Sequence, residues 1–419
     1  MPKEAAPIFK SPLGVNNIDD PRAPAFQDSS VLTKAQNVDL DRNGFVRRRV
    51  GRTKFLDLTS AHSLYASGDR LFLVDSGTLY EVTPDYTLIP LDTGLGQAPV
   101  SYAEVAGQVF YANEAKVGVV GGFWGISTPS SPHCVVTVGN MPPGRYLVAV
   151  VAVRGGVESG ARMPSVVELS AVGGLELHVA AVDLGVDALA VYCSEPNGQE
   201  LYFQGEFATT SPIRLQHIGV STDLLTTLGH YPPPPGQHIA AFRGLMLVAS
   251  GSALYWSQPL AYHHFRVQTD VQLFPERIVL LAAFDAGFFV ATASRTYWVA
   301  GQEPDGWQPQ VVDTRRVAEG AALRIPAQKL PGLQSQGEVS VWATEDGFVA
   351  GLANGTIQHL TDGRLAVDAY KQAAFAFREE GGLRQILMSL QTKDSDTRFG
   401  ATDRVTCRVI RANESTGEA

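Results

Sequence analysis

Cysteine is scarce in this chain: Cys134, Cys193 and Cys407 stand far apart among 419 residues. An odd number at irregular spacing suits neither a disulfide framework nor a paired-cysteine zinc site, and it fits folding in a reducing cytoplasm. Long apolar runs are missing too, since nothing approaches the ~20 residues that a membrane helix requires. The opening MPKEAAPIF lacks the charged-then-apolar pattern of a signal sequence, so no membrane insertion is expected. Basic residues are outnumbered 33 to 42, a formal charge of −9. Phosphate recognition needs clustered Lys and Arg, so this balance does not advertise a nucleic-acid surface. No nucleophile elbow, H-E-x-x-H helix, Walker loop or dinucleotide glycine turn occurs, and no catalytic residue, metal ligand or cofactor is assigned.

What is abundant is punctuation. Glycine (41) and proline (25) accompany 45% hydrophobic and 18% charged residues, which describes a globular chain of short strands and many turns. A recurring unit follows: a turn residue, an apolar strand, a short break, and a second strand ending in an aromatic. It runs through Gly68–Val74 with Gly77–Val82, Gly107–Tyr111 with Lys116–Val120, and Arg243–Val248 with Ser252–Trp256. It returns at Ala286–Val290 with Arg295–Val299, at Asp346–Ala350 with Gly355–Leu360, and more weakly near Leu383–Met388. Copies lie roughly 40–60 residues apart, the range of propeller blades, where each hairpin needs neighbours to cover both its faces. The expectation is an all-β fold with a β-propeller-like body of five to seven blades. Tyr80, Tyr255, Trp256, Tyr297 and Trp298 then read as wedges between blades rather than as a sugar-binding row.

The repeat is interrupted. Cys134–Val138, Gly144–Val153, Val166–Leu169, Leu175–Ala180, Ala188–Cys193, Leu201–Phe207 and Ile213–Ile218 are seven short strands in under a hundred residues. That density predicts an inserted immunoglobulin- or fibronectin-like β-sandwich. Pro232–Pro235 forms a stiff exit, because consecutive prolines favour extended backbone. The expected organisation is an extended arm over 1–34, first body segment 35–128, sandwich 129–229, linker 230–236 and second body segment 237–419.

Two motifs invite metal readings. Asp39-Leu-Asp-Arg-Asn-Gly44 copies the first half of a calcium loop, but Val50 stands in the place of the bidentate Glu, and Arg47, Arg48 and Arg49 add positive charge. A hairpin turn at Asn43-Gly44 suits it better. His263 and His264 are adjacent, so on a strand they point apart and cannot readily share one ion. They are expected as surface or core histidines.

The stretch Gly14-Val-Asn-Asn-Ile-Asp-Asp20, then Thr33-Lys-Ala-Gln-Asn-Val-Asp-Leu-Asp-Arg-Asn-Gly44, then Val46-Arg-Arg-Arg-Val-Gly-Arg52 resembles the N-terminal signature of bacteriophage virion β-propeller proteins. Val50 departs from the proline that many relatives carry there. The resemblance implies a tail or neck component of the nozzle, hub or tail-stabilising kind, made in the host cytoplasm and resident in the virion. Its implied partners are itself in a ring, other tail or portal and adaptor proteins, and phage DNA passing without specific contact. On that reading Asn16, Asn17, Asp19, Asp20, Arg47, Arg48, Arg49 and Arg52 would lie at subunit interfaces. The alternative is a host receptor- or glycan-binding tail protein.

Overall fold

The computed structural model describes residues 54–361, apart from positions 181, 211, 321, 331, 332 and 334. Beyond that span it describes strand residues 14–15, 31–32, 38–40, 46–48, 370–380, 383–392 and 405–409. The protein is all-β, with two 3-10 turns, Pro304–Gly306 and Ala327–Lys329, as the helical elements among the described residues. They fall into two compact units. One holds Ser60–Thr83 and Thr87–Leu273. The other holds Phe274 onward, Pro84–Tyr86 and the described residues before Ser60.

The body of each unit is made of antiparallel meanders, the blade-like elements expected from the repeat. In the first unit, sheet A runs His62–Ser67, Arg70–Asp75, Thr78–Val82, Leu88–Asp92, and sheet B runs Ser101–Val105, Gln108–Ala112, Val117–Val119. Sheet C runs His238–Phe242, Leu245–Ser250, Ala253–Gln258 and Ala261–Phe265, with Val271–Leu273 also paired to its third strand. In the second unit, sheet D runs Ile278–Phe284, Gly287–Thr292, Thr296–Ala300, Gln308–Asp313. Sheet E runs Leu323–Pro326, Glu338–Thr344, Gly347–Leu352, Ile357–His359, and sheet F holds Tyr370–Glu380, Leu383–Thr392 and Val405–Val409.

The period-2 alternation of a strand assigns successive side chains to opposite faces, and the cores follow that rule. From sheet B, Val109 and Tyr111 pack into the core with Phe72 and Val74 of sheet A, while Phe110 and Ala112 pack with Met246 and Val248 of sheet C. In the second unit, Phe289 of sheet D meets Trp342 of sheet E at 5.3 Å between ring centroids. On the other face of sheet E, Val341, Ala343 and Phe348 join Ile386 and Met388 of sheet F. Central strands are therefore buried throughout: every residue of Gly287–Thr292 and Gly347–Leu352 is buried. Gly351 is required here, since a Cβ would fall 2.4 Å from the Trp342 ring. The wedge expectation holds for Trp298, which shares a core with Trp342 and Val349 of sheet E; Tyr297 is buried beside Phe274. Tyr80, Tyr255 and Trp256 are only half-buried.

Between sheets B and C lies the two-sheet sandwich. One sheet orders His133–Met141, Gly173–His178 and Ile213–Leu215. The other orders Val157–Glu158, Gly144–Arg154, Ala188–Cys193 and Tyr202–Phe207, with Ser165–Leu169 also paired to the long strand Gly144–Arg154. Tyr146, Val148 and Val150 from one sheet and Leu175, Leu177 and Ile213 from the other share one core. The Tyr146 hydroxyl donates to the Pro142 carbonyl at 2.6 Å, so this fully buried ring keeps its polar end satisfied.

Candidate functional site: the joint that carries the sandwich

Of the residues expected at subunit interfaces, Arg47 and Arg48 fall on described backbone. Val46–Arg48 pairs antiparallel with Val38–Leu40, which places Arg47 opposite Asp39 and Arg48 opposite Val38. The pairing suits the expected hairpin, whose turn at Asn43-Gly44 lies outside the described residues, and Arg48 is exposed. Asn16, Asn17, Asp19, Asp20, Arg49 and Arg52 lie outside the described residues.

A closely built site lies where the sandwich joins sheet C. The chain enters the sandwich through Phe123–Thr128 and leaves it through Thr227–Pro235, and both segments close on the strand Ala261–Phe265. Trp124 donates its indole N–H to the Tyr262 carbonyl at 2.7 Å and stands edge-on to Phe110, 5.2 Å away. The Gly125 N–H donates to His263 Nδ1 at 3.0 Å. Phe123 is layered between the His263 ring at 5.3 Å and the Arg154 guanidinium at 4.5 Å, which ties the long sandwich strand to sheet C. On the exit side, Tyr231 and Phe265 exchange backbone hydrogen bonds at 2.8 and 2.9 Å, and His230 sits 5.4 Å from His264.

His263 and His264 do point apart, and the reason for the pair is now visible. One imidazole meets the entering segment and the other the leaving segment. Both are half-buried at the joint, between the surface and core positions the sequence suggested. What the sequence could not show is that Trp124-Gly125 reaches this strand from 138 residues away, with Pro232 and Pro233 packed on Gly125.

Backbone fit fixes the arrangement. Gly160 lies against the exit segment so closely that a Cβ would fall 1.7 Å from the His230 carbonyl oxygen. At Gly125, which has φ +81°, a Cβ would fall 2.3 Å from Pro233. Ala161 and Leu228 form a parallel bridge beside them. The electrostatics favour neutral imidazoles. Burial, then the neighbouring His230 and His263, pulls His264 down to about 4. Burial and Arg266 lower His230 against the opposing pull of Asp270, and burial lowers His263. The Nδ1 atoms of His230 and His264 are buried without a hydrogen-bond partner among the described residues. Protonating either would place a charge beside another imidazole with little to receive it.

A second polar knot lies in the other unit. Arg315 donates from Nε to Asp346 at 2.7 Å, lies 3.4 Å from Asp313, and also contacts His359. It links the last strand of sheet D to sheet E. Among the described residues no group of three or more His, Cys, Asp or Glu is arranged to hold a metal ion. No helix among them is long and apolar enough to cross a membrane. An open hollow beside the sandwich strand Ile213–Leu215 is lined by Phe207, Ala208, Thr210, Pro212, Ile213 and Arg214.

No family model and no curated protein matches this sequence. Among solved structures the chain is similar to BBS1N in its complex with ARL6DN, at 10% identity over 78% of this chain and 88% of that one, with a TM-score of 0.32. It is also similar to apo AztD from Citrobacter koseri, at 14% identity over 71% and 84%, with a TM-score of 0.26. A second Citrobacter koseri AztD structure gives 13% identity over 71% and 85%, with a TM-score of 0.25.

Proposed function

We propose that this protein is a structural subunit of a bacteriophage tail or head–tail junction, forming a ring or hub around the DNA exit channel, with the sandwich as a fibronectin-like module that meets partner proteins. The observation that carries this reading is the signature over Gly14–Arg52, which leads into a body of meander sheets. The construction suits the task. Sheets buried on both faces make stiff wedges, and the joint clamps both connections of the module instead of leaving it on a loose tether. In a closed ring each subunit contact is heterologous, one surface meeting a different surface of the next copy. Arg47 and Arg49 belong to that contact in this reading.

Light scattering on the purified chain tests it, together with electron microscopy of virions labelled against the protein. A ring mass, or label at tail or neck, is expected; a persistent monomer absent from particles overturns the proposal. Arg47→Glu with Arg49→Glu is expected to abolish ring formation. A host receptor- or glycan-binding tail protein is the second reading, favoured by Phe55 and Tyr86. These rings stack 4.8 Å apart while 67% and 48% exposed, a platform on which a sugar face could lie. Glycan-array binding that is lost in Phe55→Ala would favour it.

A further inference from the structure

The sandwich has one side that its own strands leave open. His133–Met141 pairs only with Gly173–His178, and Ser165–Leu169 only with Gly144–Arg154, so each presents a free edge among the described residues. The two edges run side by side. The Ser165 hydroxyl donates to the Pro132 carbonyl, and the Ser131 hydroxyl donates to the Met163 carbonyl at 2.7 Å. Val136 and Val138 on the first edge strand and Val166 on the second are 55%, 87% and 57% exposed, and Met163 and Val172, just before and after the second strand, are 77% and 64% exposed. Contiguous exposed apolar side chains mark interaction surfaces.

Free edges are normally guarded by Lys, by an inward charge or by proline, because unpaired backbone groups are a template for another strand. From Pro129 to Gly144 this chain has no charged residue, and its prolines bracket the strand instead of interrupting it. Pairing of His133–Thr137 with its inner neighbour is regular, and the irregularity begins only beyond Thr137. The whole chain carries −9, so two copies repel over most of their surface and meet at least cost along a neutral strip.

We propose that the edge strand His133–Met141 pairs with the same strand of a second copy, antiparallel about a two-fold axis at Val135. His133 then faces Thr137 of the second copy and Cys134 faces Val136, with no charge opposite a charge. Two three-stranded sheets become one six-stranded sheet, and the apolar seam is covered from the partner's side. Such an edge buries less than the ~800 Å² per partner of a standard stable interface, so the pair is weak alone and strong when several modules are presented together.

The test uses the full chain. Sedimentation velocity from about 1 to 100 µM is expected to show the mass of the basic particle doubling as concentration rises. Val135→Lys places two ammonium groups together on the axis and is expected to abolish the doubling. Val135 is 42% exposed, and Glu176 opposite it on the neighbouring strand is already held by Arg214 and His178, so the substitution disturbs no buried contact and folding is preserved, which an unchanged thermal melt checks. Leu184→Lys, on the loop between Gly173–His178 and Ala188–Cys193, is expected to leave the doubling intact. In a Cys134→Ser background, Val135→Cys is expected to give a disulfide-linked dimer on mild oxidation, whereas Leu184→Cys is not. No doubling at any concentration overturns the inference, as does doubling that persists in a folded Val135→Lys chain. The ring reading is independent: Val135→Lys chains that still form rings but no longer pair would retain it.

Discussion

The meander sheets and the sandwich solve the same problem in different ways. A single sheet leaves a face exposed, and both regions bury it against another sheet. In the sandwich the partner sheet lies within the same hundred residues, and its core draws on only Phe123 and Ile126 from before the first strand. In the body the partner is always another repeat: sheet B is covered by A on one face and C on the other, and sheet E by D and F. The sandwich is thus expected to fold by itself, while a body sheet owes its stability to its neighbours.

Excision breaks that symmetry most completely. A fragment spanning 123–231 is expected to melt cooperatively by circular dichroism, and a fragment spanning sheet A alone, 60–95, is expected to be unfolded. A two-state melt of the second fragment would erase the distinction. Trp342→Ala, at the contact of sheets D and E, removes a ring that serves two sheets and is expected to cost about 3–5 kcal/mol in denaturant unfolding. Gly160→Ala acts on the joint instead. The clash is with a backbone carbonyl, and a loss of about 2–3 kcal/mol is expected, with the isolated sandwich fragment affected less if Thr227–Tyr231 can retreat.

Acid discriminates more finely. The His264 pKa is depressed to about 4 from an unfolded value of 6.5, so its neutral form is the one the fold accepts. Below pH 6.5 the unfolded chain takes up a proton that the folded chain refuses. Stability is therefore complete above that value and falls as pH drops toward 4. After allowance for partial exposure the loss is on the order of 1–2 kcal/mol, and His264→Asn should reduce it, leaving the part due to His230 and His263, which burial also lowers. Loss is expected in the unit that holds the joint, while near-ultraviolet signals from Trp298 and Trp342 change least. At the small end, Arg70→Ala removes a bidentate but partly exposed pair with Glu81 and should cost only about 0.2–1 kcal/mol.

The inner strands of the body were legible because they are the apolar ones. Gly68–Val74, Arg243–Val248 and Asp346–Ala350 announce themselves through a turn residue and a buried run, and each coincides with a strand. The outer strands were not. Leu88–Asp92 contains Pro90, and Gln308–Asp313 is largely exposed, so neither carries a period that separates it from a loop. Seven of the eight sandwich strands were legible, with ends within about three residues, because their apolar runs are local; the two-residue strand Val157–Glu158 was not, being too short to carry a pattern. The joint was hidden for the opposite reason. Its partners, Trp124 with Tyr262 and Gly125 with His263, lie 138 residues apart, and an isolated Trp, Gly or His has no pattern to reveal its partner.

Gly125 rests on Pro232 and Pro233, and the Gly236 N–H donates to the Asn113 carbonyl at 3.0 Å, so the chain returns to the place it left. A socket of this kind imposes no demand on what is plugged into it beyond two ends that lie close together. Over evolutionary time such a body can exchange, lose or acquire a side domain by recombination at one spot while the register of its sheets is untouched. For the engineer it marks where a foreign domain can be grafted with both termini held.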